Sequence, residues 1–243
     1  MKTSVIFVIV LLLYVRLSGQ GLQPDSSSSL PAFKSIVDFY NKSLSEQLHL
    51  YNGKEYKDYP YQFNEGHPYF LSNNWSKGTL NYDGEHYEEV PMLYDVVQDE
   101  LVILHFDNRS KICLVKEKIS SFSLLAHSFV NIQPKNINSS TITEGFYDLL
   151  YAGQVSLFAK RTKNIQTFYR QSVSEIKIFK KDHYNLLKKN IYYPVSSKRS
   201  FLQQLTDKRK EIQQYIKKNR LSFKNDVENA MVKILAYYDQ IMN

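Results

Sequence analysis

The sequence predicts an α+β protein: an antiparallel meander sheet, curved or closed in part into a barrel, with an N-terminal helix and a C-terminal antiparallel helix pair. Three observations lead there. Between positions 56 and 195, turn signals recur about every ten residues and separate short Tyr-, Val- and Ile-rich runs. No helix-length amphipathic stretch interrupts those runs, so the connections read as hairpins rather than parallel crossovers. Residues 30–50 and 197–242, by contrast, carry apolar side chains at spacings of three and four, the helical period. Composition agrees, since 19 Tyr and 14 Phe favour strands. With 43% hydrophobic and 23% charged residues, the chain is neither disordered nor a fibrous repeat.

The elements follow in order. Lys2 and the apolar run 5–15 (VIFVIVLLLYV), then Arg16 and Ser18-Gly19-Gln20, predict a signal peptide over residues 1–19. Eleven apolar residues fall short of the ~20 that span a bilayer as a helix; a short uncleaved anchor is the alternative. Cleavage near Gly19–Gln20 would leave a protein exported to the periplasm or beyond, with no transmembrane span. It would carry no lipid anchor, because Gln20 or Gly21 stands where a lipidated Cys would be needed. Residues 20–29 form a polar, Ser-rich spacer, and one α+β domain is expected over 30–243. In its first helix, 30–50, Phe33, Ile36, Val37, Tyr40, Leu44 and Leu48 share a face. Pro31 suits its first turn and Asn52-Gly53 its end.

The sheet is expected over 56–195. Asp83-Gly84 supplies the positive φ angles of a tight hairpin within 78–90. Met92-Leu93-Tyr94 forms the next return, and 100–106 (ELVILHF) turns at residues 107–110 into 112–115. Strands 146–151 and 155–160 turn at Ala152-Gly153, and 183–187 and 191–195 turn around Lys189-Asn190. Cys113, the single cysteine, alternates with Lys111 and Val115 as a buried strand residue would. Alone it forms no internal disulfide, and a catalytic thiol would need a base that the local sequence lacks. After the sheet, 197–219 reads as one helix with Phe201, Leu205, Ile212 and Ile216 on a stripe. Asn225-Asp226 caps a second helix that buries Val227, Met231, Ile234, Leu235 and Tyr238.

Charge is segregated. Residues 83–100 hold seven acids and no Lys or Arg, whereas residues 160–224 hold 18 Lys+Arg and four acids, a net of +14 inside a chain whose net is +7. A basic segment of this kind could bind a polyanion: nucleic acid, lipopolysaccharide, an anionic glycan or an acidic lipid surface. Export makes nucleic acid the poorest of these candidates. Lys208, Arg209, Lys217 and Lys218 are the candidate polyanion-binding residues. The competing reading is that these charges only solvate the outer faces of amphipathic helices. The acidic hairpin meeting the basic helices is a third.

Catalytic motifs are sparse. There is no HExxH, GxSxG, P-loop or GxGxxG, and the six His are scattered, so no metal ligand set and no cofactor are expected. The densest constellation is Glu85–Glu89, where His86 and Glu88 share one side of a strand. These two are the catalytic candidates for an envelope- or glycan-directed hydrolase. The ordinary reading is a polar strand face beside a turn. The aromatics Tyr56, Tyr59, Tyr61, Phe63, Tyr69 and Phe70 suit either a sugar-stacking platform or core filling.

The stretches KGTLNYDGEHYEEVPMLYDVVQDELV (77–102), GFYDLLYAGQVSLFAKR (145–161) and the tail at 200–240 together resemble a group of exported proteins of Bacteroidota with no assigned activity. The resemblance implies a bacterial envelope location and transfers no functional residue. The resulting expectation is a non-catalytic exported binding protein whose partner is an anionic envelope component or another protein.

Overall fold

The computed structural model describes residues 49–133, 142–170 and 173–242. His49 and Leu50 are helical, while the remainder of the expected N-terminal helix, the signal peptide and the spacer lie outside the described residues. Eleven strands make one antiparallel sheet. They are β1 Lys54–Glu55, β2 Ser76–Tyr82, β3 Glu85–Asp95, β4 Glu100–Leu104, β5 Lys111–Cys113 and β6 Ile119–Leu124. The series continues with β7 His127–Ile132, β8 Gly145–Tyr151, β9 Val155–Arg170, β10 Val173–Lys188 and β11 Ile191–Val195. The spatial order is β1-β5-β4-β3-β2-β6-β7-β8-β9-β10-β11. The sheet is not closed, since β1 and β11 are its edges.

The expected punctuation sits where the strands turn. Asp83 and Gly84 (φ 53° and 89°) join β2 to β3, and Lys189 and Asn190 (φ 50° and 62°) join β10 to β11. Such pairs of left-handed residues match the right-handed twist of the flanking strands. The β4–β5 turn is held by the Asp107 carboxylate, which accepts from the Arg109 and Ser110 backbone N–H groups at 2.8 Å each. Cys113 is buried in β5 between β1 and β4. Burial pushes its thiol up to about 12, so it is an inert core residue.

The sheet curls strongly. β3 and β8 are four positions apart in the order, which in a flat sheet would separate them by about 19 Å. Yet the rings of Tyr94 on β3 and Phe146 on β8 have centroids 5.7 Å apart. Phe122 and Phe129 stack between them at 4.7 Å, and this aromatic cluster fills the concave side. Residues 64–70 then bridge the open end. Phe70 N donates to Tyr94 O at 2.8 Å beside β3, while Asn64 N donates to Ile176 O at 2.9 Å on the outer edge of β10. Lys163 clips the same segment by donating to the carbonyls of His67 and Tyr69.

The C-terminal stretch departs from the single helix expected over 197–219. It forms α1 (Lys198–Gln203), a 3-10 turn (Thr206–Lys208) and α2 (Arg209–Lys218). Ser197 and Ser200 make a reciprocal cap at the start of α1. The helix breaks because tertiary bonds claim its next groups: the Gln204 carbonyl accepts from Lys188 Nζ at 2.7 Å, and the Asp207 carboxylate accepts from Tyr238 Oη at 2.6 Å. The apolar stripe survives the break, since Phe201, Leu205, Ile212 and Ile216 are all buried. Asp226 caps α3 (Val227–Met242), and Tyr215 of α2 stacks on Tyr237 of α3 at 4.1 Å. These helices and the Val155, Leu157 and Leu186 side chains of β9 and β10 form a second core. Among the described residues, no helix is long and apolar enough to cross a membrane.

Candidate functional site

β9 and β10 run together for sixteen residues each, with Lys160 opposite His183, Thr162 opposite Lys181, and Asn164 opposite Phe179. β8 stops pairing with β9 at Ala159, and β11 stops pairing with β10 at Tyr184. Beyond those points the two strands continue as a ribbon, edged on β10 only by residues 64–65 among the described residues. Alternation sends Arg161 and Asp182 to one of its faces and Lys160, Thr162, Lys181 and His183 to the other.

On one face, Arg161 is buried with every guanidinium N–H group bonded. Arg161, 4% exposed, donates to Asp148 at 2.6 Å, Asp182 at 2.8 Å and Glu228 of α3 at 2.5 Å. His127 adds a 2.8 Å contact to Asp148, and Tyr184 Oη donates to Glu228 at 2.9 Å. Burial alone would raise the Glu228 carboxyl, but the Arg161 bonds and charge outweigh it and hold it below the usual carboxylate range. Three carboxylates around one guanidinium bind sheet and helix together. With its donors spent, Arg161 offers nothing to a ligand.

The opposite face is open. Where β11 ends, a groove of about 800 Å³ curls around the root of the ribbon. Lys160, Thr162, Lys181 and His183 line it from β9 and β10 together with Asp182, whose carboxylate is held by Arg161 and Lys180, and Ser196, Ser197 and Lys198 follow from the segment leaving β11. Tyr147 and Phe223 supply apolar wall. Lys160 is committed to Asp99 at 2.7 Å, which also holds Lys116 and Tyr94 Oη. Burial would raise Asp99, but the Lys160 charge and the bonds from Lys116, Lys160 and Tyr94 keep its carboxyl lowered. Lys160 shares that one carboxylate with Lys116, and burial draws its ammonium pKa down. Gly145 makes room for this cluster. At φ +128° it lies outside ordinary side-chain territory, and a Cβ there would collide with the Asp99 carboxylate and Lys160 Nζ. Lys181 and Lys198 differ: both are exposed, and among the described residues no ion pair joins either to a carboxylate.

The residues singled out from sequence lie elsewhere. His86 and Glu88 do share a strand face, at 3.7 Å, and His86 Nδ1 contacts Asn81 at 2.8 Å. Their side chains are 52% and 76% exposed beside the β2–β3 turn, and neither lines the groove. Arg209, Lys217 and Lys218 are exposed on α2 opposite the buried Ile212 and Ile216, with Lys208 half-buried. The acids of 83–100 reach mainly to lysines of the sheet region: Asp83 to Lys118, Glu89 to Lys77, and Glu100 to Lys54. Only the Asp99–Lys160 pair links them to the basic segment among the described residues. Of the early aromatics, Tyr56 and Phe70 are core, and Tyr56 and Tyr59 both donate to the buried Asp95 carboxylate. Tyr59, Tyr61 and Phe63 form a ring cluster with centroids 5.3–6.0 Å apart. No group of three His, Cys, Asp or Glu is arranged to hold a metal ion among the described residues.

Sequence reasoning saw the basic segment but not the groove. Its lining comes from five separate stretches that only the fold brings together, and the local sign was the concentration of Lys within 160–198.

No protein family model matches the chain, and searches of curated proteins and of solved structures give no match.

Proposed function

We propose that this chain is a non-catalytic, exported binding protein of the bacterial envelope that takes an anionic ligand in the groove beside β11. One observation carries the reading: among the described residues, Lys181 and Lys198 stand exposed on a concave surface with no carboxylate partner, flanked by His183 and Ser196. Unpaired cations on a concave, partly apolar wall attract an anion more strongly than the same charges on a convex helix. The N-terminal apolar run at 5–15 and the resemblance to exported proteins of Bacteroidota support the location.

The test is retention on immobilised heparin against a salt gradient. The K181E/K198E double variant is expected to elute at distinctly lower salt than the parent, whereas reversal of Lys208, Arg209, Lys217 and Lys218 to Glu moves elution less. Equal elution of the groove variant and the parent would contradict the groove. Shortening of a soluble heparin oligosaccharide by the parent protein would contradict the non-catalytic part and return the hydrolase reading.

A further inference from the structure

The groove does not end at the ribbon's root. Residues two apart on a strand share a face, so the face that presents Lys160 and Thr162 continues through Asn164, Gln166 and Phe168 of β9. On β10 the matching positions are His183, Lys181, Phe179, Lys177 and Glu175. The bridging segment 64–70 leaves this face open, because it lies along the outer edge of β10 and is clipped by Lys163, which points to the other face. Asn164, Gln166, Phe168, Phe179 and Lys181 are all exposed. Phe168 and Phe179 stand beside each other with ring centroids 6.0 Å apart. From Lys160 to Phe168 the track extends about 26 Å at the usual rise per strand residue.

Resting on the proposal that the groove takes an anion, we infer that the ligand is a linear acidic polysaccharide, with one part in the groove and the chain continuing along this ribbon face. The chemistry of the track selects the class. Amide side chains at Asn164 and Gln166 donate to and accept from hydroxyls, and the two Phe rings offer apolar faces to the C–H surface of sugar rings. The charge along it is sparse. Lys181 is exposed and has no ion pair among the described residues, but Lys177 is shared between Glu65 and Glu175, and Lys160 is held by Asp99. A nucleic-acid strand of duplex spacing would lay about eight phosphates along ~26 Å. One free lysine, and Glu175 at the far end, do not neutralise such a chain. A glycan with an acid group on every second sugar matches that density, its acids meeting Lys181 and Lys198 and its neutral sugars meeting the amides and rings.

The experiment is a calorimetric titration of the full chain with size-fractionated hyaluronan oligosaccharides of increasing length, which carry one carboxylate on every second sugar. Maltooligosaccharides of equal length and single-stranded oligo(dT) serve as comparisons. Affinity is expected to rise on the order of tenfold from the shortest to the longest hyaluronan fragment, the gain that two ring contacts supply. F168S/F179S and, separately, N164A/Q166A should bind the shortest fragment as the parent does but lose the gain with length. K181E/K198E should weaken every length. Short-fragment binding without a length-dependent gain would overturn the track while leaving the groove standing. No binding of any fragment would remove the groove reading and the track with it. Oligo(dT) binding as tight as hyaluronan of equal length, or a gain untouched by both ribbon variants, would also overturn the inference.

Discussion

Arg161 and Lys181 stand on opposite faces of the same two-stranded ribbon, one residue out of register across it, and their fates differ completely. Arg161 is 4% exposed and wrapped by Asp148, Asp182 and Glu228. Lys181 faces solvent in the groove with no carboxylate partner among the described residues. Both count equally toward the +14 of the basic segment. The difference teaches that a regional net charge says little about binding until each cation is asked what already holds it. Charges of the first kind maintain the fold, and only those of the second kind are free to meet a ligand.

The sharpest way to break this comparison is to remove the structural member. Arg161→Met would leave three carboxylates packed together without their cation, and is expected to lower unfolding stability by about 3–5 kcal/mol. Urea denaturation measures it; a variant as stable as the parent would show that the cluster holds nothing together. Next comes Gly145→Ala, whose Cβ would drive Asp99 and Lys160 apart in a backbone conformation that L side chains rarely adopt. A loss of about 1–3 kcal/mol is expected, together with an altered groove wall where Lys160 sits.

Acidification probes the paired carboxylates on both faces of the ribbon. Asp99 and Glu228 both have folded pKa values below the ordinary carboxylate range. Their contribution is therefore fully present above the unfolded values, near pH 4, and is lost as pH falls through the folded ones. The midpoint of urea unfolding should decline as pH falls below about 4–5, and D99N should make that decline shallower. A D99N profile parallel to the parent's would mean that Asp99 takes no part. The smallest stability effect belongs to the open side: K181E/K198E should change unfolding free energy by less than about 0.5 kcal/mol, as exposed substitutions away from structural features do.

Much of the sheet was legible because its punctuation is local. Asp83-Gly84 and Lys189-Asn190 need only their own backbone preferences to announce a turn, and the strand stripes announce the faces. The hairpin of β6 and β7 was not legible, because its turn is Leu125-Ala126, at φ 51° and 62°, and neither residue type favours that conformation. The flanking Phe122–Phe129 stack, a contact across strands, supports the turn instead. The ribbon was read too short for a related reason. Residues 161–182 mix Thr, Asn, Gln and Lys with few apolar side chains, since one face is solvent and the other a charged cluster. The helix break at Gln204–Leu205 depends on Lys188 and Tyr238, distant in sequence, and leaves the apolar stripe unchanged. His86 and Glu88 were correctly placed on one strand face, but periodicity could not tell an exposed face from a cavity. Nor could it separate the buried Arg161 from the open Lys181.

The most direct test of the central claim is to map a short heparin fragment on the isotopically labelled protein by amide chemical-shift changes. The account predicts perturbations concentrated at Lys160, Thr162, Lys181, His183 and residues 196–198, with Glu228, Arg161's partner on α3, unmoved. Shifts gathered instead on the outer face of α2, at Arg209, Lys217 and Lys218, would contradict it.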